Sequence, residues 1–150
     1  MLKKALKKAV IIALIGFIGI QFYRPSKNQA DYSVVSTFEK ETKVTDEIRG
    51  ILQQNCYNCH SNHTVYPWYT EITPMSLWIN NSIAEGKKRL NFSAWDSYSL
   101  KKKDHKMEEI IKEVRKGRMP VEIYTVLHGK LSDQGMESII NWGKAYRSNL

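Results

Sequence analysis

The apolar positions of the chain begin with an uninterrupted run at 10–20, preceded by Lys3, Lys4, Lys7 and Lys8 and closed by Gln21, Phe22, Tyr23, Arg24 and Pro25. Beyond it the apolar residues return with a helical period. Over 44–54, Ile48, Ile51 and Leu52 share one face. A second stretch takes Thr73 as its cap and Pro74 as its first residue and runs to Arg89. Over 100–116, Leu100, Met107, Ile110, Ile111 and Val114 form the buried stripe, and Gly117 ends the helix. In the last stretch Ser132 caps a helix whose face holds Met136, Ile139, Ile140 and Gly143, with Trp142 beside it; Gly143 lets another helix approach closely. Neither a repeat nor a strand-rich region interrupts this pattern. The expected organisation is a signal-anchor or transmembrane segment at 1–24, an exposed linker at 25–43 and an all-α domain at 44–150.

The run at 10–20 has the length of a signal-peptide core and falls short of the roughly 17–25 residues of a membrane span. Cleavage requires small residues three and one positions before the cut, and only bulky or polar pairs such as Asn28 with Ala30 follow the run. An uncleaved anchor is therefore expected, with secretion after cleavage as the alternative. Snorkelling lysines and interfacial Phe22 and Tyr23 extend the usable span. The positive-inside rule places Met1 in the cytoplasm and Arg24 onward on the periplasmic, extracytoplasmic face of the cytoplasmic membrane.

Composition changes this picture little, since 42% hydrophobic and 25% charged residues are ordinary for a globular chain. The formal net charge is +8, of which the four N-terminal lysines supply half. The remaining basic clusters, Lys101-Lys102-Lys103 and Gly86-Lys87-Lys88-Arg89, read as solvated helix ends with no nucleic-acid motif beside them. Such a surface could steer an acidic redox partner protein.

Chemistry enters with the only two cysteines, Cys56 and Cys59, which frame a C-x-x-C followed at once by His60. This is the c-type haem attachment signature. Two thiols reach the two vinyl groups on one porphyrin edge while the next residue's imidazole rises beneath the iron, so the expected cofactor is a covalently attached haem c. Three alternatives are weaker. A thioredoxin-like pair opens a helix, whereas this one closes the helical pattern at 44–54. A zinc site of Cys56, Cys59, His60 and His63 has the wrong spacing for a finger. A disulfide between near neighbours closes almost no loop.

His60 would bind iron through Nε2 and donate its Nδ1 proton to a carbonyl, with the loop around Pro67 and Pro74 as a source. For the opposite face the candidates are Met119, His105, His63 and His128, with Met75, Met107 and Met136 behind them. Met107 and Met136 lie on apolar helix faces, His63 is too near His60 to circle the porphyrin, and His105 falls nearly opposite the buried stripe of its helix. Met119, between Gly117-Arg118 and Pro120, stands in a stiffened loop between two helices. Tyr66, Trp68, Tyr69, Trp78, Phe92, Trp95 and Tyr98 cluster after the motif, as porphyrin walls or as core; Trp68, Tyr69 and Arg118 are candidate propionate contacts.

With these residues the chain resembles the bacterial c-type haem-binding domain family, small membrane-anchored proteins with cytochrome-c-like features. The resemblance covers about 52–142 and includes Cys56-Tyr57-Asn58-Cys59-His60-Ser61-Asn62, Tyr66-Pro67-Trp68-Tyr69, Leu90-Asn91-Phe92-Ser93, Glu108-Glu109-Ile110, and Met119-Pro120 followed by Tyr124 and His128. More distantly the chain is similar to class I cytochromes c. The resemblance implies a small helical domain around one haem and Met119 as the distal ligand, with His105 as runner-up; His/Met ligation leaves no vacant site for chemistry, so single-electron transfer instead of enzymatic turnover is expected. The alternative is a haem sensor or peroxidase-like enzyme with an open or His-ligated sixth position.

Overall fold

Three short polar side chains start three of the helices. Thr45, Ser99 and Ser132 turn their hydroxyl oxygens onto the backbone N–H groups of Ile48, Lys102 and Gly135, at 3.3, 3.3 and 3.1 Å, and so satisfy donors that the first helical turn leaves unpaired. In the computed structural model, which describes residues 2–150, the helices are α1 (Leu2–Ile20), α2 (Ser36–Glu41), α3 (Asp46–Asn55), α4 (Tyr57–His60), α5 (Met75–Arg89), α6 (Leu100–Arg115), α7 (Glu122–His128) and α8 (Asp133–Arg147). Short 3-10 turns lie at Tyr32–Val35, Trp68–Glu71 and Phe92–Ser97. The described residues are all-helical; their only extended pairing is an isolated bridge between Gln29 and His63. They divide into two compact units, 1–27 with 66–82, and 28–65 with 83–150.

In the larger unit α6 packs on α8. Met107, Ile111 and Val114 meet Ile139, Trp142 and Gly143. A Cβ on Gly143 would stand 2.9 Å from Ile111 Cγ1 and 3.3 Å from Met107 Sδ, so the glycine does admit the neighbouring helix. Leu100, expected in the stripe, is 65% exposed because it sits in the first turn, ahead of the contact.

The stretch expected as an exposed linker at 25–43 supplies the centre of this core. Phe38 on α2 is fully buried, with ring centroids 4.5 Å from Phe92, 5.0 Å from Trp95 and 5.9 Å from Trp142. Trp142 Nε1 donates to the Thr42 carbonyl at 2.8 Å. Two carboxylates follow Phe38 on α2, Glu39 half-buried and Glu41 at the surface. Glu41 accepts from Lys103 Nζ at 2.7 and 2.9 Å, from the Tyr146 hydroxyl at 2.7 Å and from Trp95 Nε1 at 3.4 Å. Lys103, expected as part of a solvated cluster, is therefore buried, its charge neutralised in place. Trp95 belongs to this packing.

The smaller unit holds α1, none of whose residues is buried. After it, Gln21 clasps Thr73 through its Nε2 to the Thr73 carbonyl and its Oε1 to the Thr73 N–H, both at 3.0 Å, and Lys27 pairs with Glu71 at 2.5 Å. Among the described residues no helix is long and apolar enough to cross a membrane. This overturns the expected N-terminal anchor and the membrane-bound extracytoplasmic placement drawn from it. Lys3, Lys4, Lys7 and Lys8 occupy the first two turns of α1. The apolar remainder at 9–20 spans about 18 Å at ~1.5 Å per residue, against ~30 Å of hydrocarbon. Met1, assigned by charge to the cytoplasm, lies outside the described residues.

Candidate functional site

The chemistry-bearing segment is a break between two helices. Cys56 closes α3, its N–H donating to the Leu52 carbonyl at 2.8 Å, and at φ −128° it leaves helical geometry before α4 resumes. The His60 N–H returns to the Cys56 carbonyl at 3.0 Å, closing a single turn. The two residues between the cysteines brace that turn from different sides. Tyr57 is buried, and its hydroxyl donates to Glu39 Oε1 at 2.9 Å; Tyr32 donates to the same oxygen at 2.6 Å, and Arg49 Nε meets the other at 3.1 Å. Burial and the adjoining Glu39 charge push Tyr32 up to about 12, so both phenols stay protonated as donors. Asn58 donates to the Tyr124 hydroxyl at 3.1 Å, and Tyr124 donates in turn to the Gln54 carbonyl at 2.7 Å. Tyr124 thereby ties α7 to the α3–α4 junction.

His60 is oriented through Nδ1, which lies 3.1 Å from the carbonyl of Leu90. A carbonyl only accepts, so Nδ1 carries the proton and the neutral ring keeps its lone pair on Nε2. The expected orienting carbonyl thus exists, but Leu90, just past α5, supplies it in place of the Pro67 and Pro74 loop. Burial lowers the His60 pKa, opposed by the carbonyls of Leu90 and Gly86, and favours the neutral ring. Burial first, and then Cys59, pushes the Cys56 thiol up to about 12, and burial likewise raises Cys59. Both cysteines are free, half-buried thiols.

Cys56, His60 and Met119 line one cavity of about 550 Å³. Its apolar lining includes Leu90 and Phe92, together with Ile110 and Val114 of α6. Cys59 is not among the lining residues; it packs on α5, where a Cβ on Gly86 would come within 2.5 Å of the Cys59 carbonyl oxygen. The charged lining consists of Lys88 and Arg89 at the end of α5, Lys106, Glu109 and Glu113 on α6, and Arg118. Lys106 pairs with Glu109 at 2.6 Å, and Arg118 pairs with Glu113 through two hydrogen bonds, one of 2.6 Å.

The other ligand candidates fall elsewhere. His105 is exposed on α6, its Nε2 3.4 Å from Glu109, and does not line the cavity. His63 Nδ1 lies 2.6 Å from the Ala30 carbonyl. His128 stacks on Tyr124, centroids 4.1 Å apart. Met107 is core, Met136 packs against it, and Met75 opens α5 within the smaller unit, which also holds Trp68 and Tyr69. Of the clustered aromatics, Phe92 alone lines this cavity. Among the described residues no three His, Cys, Asp or Glu side chains gather as a metal cluster.

Sequence reasoning missed Gly86, Glu39 and the Leu90 carbonyl. A lone glycine inside a helical pattern was the available signal for Gly86. Glu39 hid in a stretch without clear periodicity, and a backbone carbonyl leaves no trace in residue type.

No curated protein and no solved structure matches the chain. The model of a family described as a haem-binding domain matches residues 15–145. The cavity fits such a group: its volume is within the ~300–1,000 Å³ of cofactor pockets, its walls are apolar, and thiol, imidazole and thioether groups line it together. A match over nearly the whole chain, met by a cavity of suitable size and donor chemistry, establishes that this protein belongs to the haem-binding domain family.

Proposed function

We propose that the protein carries its haem as haem c, joined by thioethers to Cys56 and Cys59 and ligated by His60 and Met119, and that it passes single electrons between partner proteins without catalysing a reaction of its own. The single observation that carries this reading is the presence of Cys56, His60 and Met119 on one cavity. When bound, the haem supplies a one-electron iron couple, and His/Met ligation raises its potential. The protein's part is to hold geometry. Leu90 fixes the tautomer that leaves Nε2 available, Tyr57 and Asn58 brace the turn that carries the thiols, and Leu90, Phe92, Ile110 and Val114 exclude water. His105, exposed and paired to Glu109, lies outside the cavity lining, which weighs against a distal acid or base of the peroxidase kind.

The test is spectroscopic. Matured protein should keep its haem absorbance on the denatured chain after acid-acetone extraction, and Cys56→Ala/Cys59→Ala should release it. Ferric protein should show the far-red methionine-to-iron band, lost in Met119→Ala and kept in His105→Ala. Complete extraction of the haem would defeat covalent attachment; a high-spin or bis-histidine spectrum would defeat Met119.

A further inference from the structure

The charges around the cavity do not balance. Of its six charged lining residues, Lys106 is neutralised by Glu109 and Arg118 by Glu113. Lys88 and Arg89 remain. Lys88 reaches only Glu85, at 4.0 Å with both side chains largely in solvent, a contact worth almost nothing. Arg89 has no ion pair among the described residues, although it stands near enough to His60 to act against protonation of that ring. The cavity thus carries an excess of two positive charges, both at the end of α5. The C-terminal end of that helix contributes only about half a negative charge, too little to cancel them.

A haem brings two propionate carboxylates on one edge of an otherwise apolar porphyrin. We infer that Lys88 and Arg89 receive the two haem propionates and thereby fix which edge of the porphyrin enters the cavity last. This rests on the haem-site reading above. It also reassigns the propionate contacts: Arg118 is already held by Glu113, whereas Arg89, with its planar fork of donors, is free to grip a carboxylate in two places. The apolar walls then take the porphyrin body, and the charged groups stay at the rim, where neither has to be desolvated without a partner.

The experiment compares two probes on the full apo chain by Soret titration: haemin, and haemin dimethyl ester, whose propionates are neutral. The native chain should prefer haemin by about tenfold, the scale of two partly solvated ion pairs. Lys88→Gln/Arg89→Gln, with circular dichroism checked against the native chain, should reduce that preference to less than about threefold while binding the ester as before. Lys112→Gln/Arg115→Gln, which removes two charges outside the cavity lining, should keep the preference. Equal binding of both probes by the native chain, or loss of preference in the Lys112/Arg115 variant alone, would overturn the assignment. Failure of both probes to bind would instead sink the haem-site reading itself.

Discussion

Three glycines show how a missing side chain acts differently according to what surrounds it. All lie inside helices, where alanine is intrinsically better by about 1 kcal/mol. Around Gly50 on α3 nothing lies within 4 Å, so Gly50→Ala should stabilise by about 0.5–1 kcal/mol. At Gly143 the nearest atoms are side-chain carbons of Ile111 at 2.9 and 3.1 Å, which can turn aside, and the net cost should be about 1 kcal/mol. At Gly86 the new Cβ meets the Cys59 carbonyl oxygen at 2.5 Å, and backbone at the start of the His60 peptide cannot yield without moving the imidazole. Gly86→Ala should cost about 2–3 kcal/mol. Urea unfolding of the three variants checks the order, Gly50→Ala most stable and Gly86→Ala least. Only the close approach at Gly143 could be anticipated from periodicity, because it sits on an apolar helix face; Gly86 lies on a polar stretch, and its neighbour is a main-chain atom.

At the scale of elements, α2 is a six-residue helix with one buried side chain, Phe38, followed by Glu39 and Glu41. Burial raises the Glu41 carboxyl, but hydrogen bonds from Lys103, Tyr146 and Trp95 and the charge of Lys103 outweigh it, leaving the pKa below the usual carboxylate range. A carboxyl depressed on folding contributes stability that is complete above its unfolded pKa and disappears as pH falls through the folded value. Unfolding free energy should therefore decline below the ordinary Glu range of about 4.3, and Glu41→Gln should flatten part of that decline, as measured by denaturant titration from pH 6 to pH 2. An unchanged pH slope would show that Glu41 titrates alike in both states. Helix α6 has a similar double use, with Met107 and Ile111 in the core, Lys106, Glu109, Ile110 and Glu113 on the cavity, and Val114 shared by both. Its stripe was legible from the 3.6-residue period; its charged cavity face was not, since a solvated face and a cofactor rim have the same composition.

For the molecule as a whole, α1 is the element least bound to the rest of its unit. It buries no residue, so a chain lacking residues 2–20 should unfold within about 0.5 kcal/mol of the full chain, the range of changes that touch no core; a larger drop in the urea midpoint would show that the helix is covered in solution. The all-helical architecture, the helix start at Ser132, the stop at Gly117 and the C-x-x-C-H motif could all be read from the chain, because caps, periodicity and motif spacing are local and act through neighbours a few residues away. The weight of the segment at 25–43, the burial of Lys103, the Leu90 carbonyl behind His60 and the unpaired cations at the end of α5 depend on atoms brought together from distant positions. Their meaning is set by distance and burial, and the tertiary structure alone decides both.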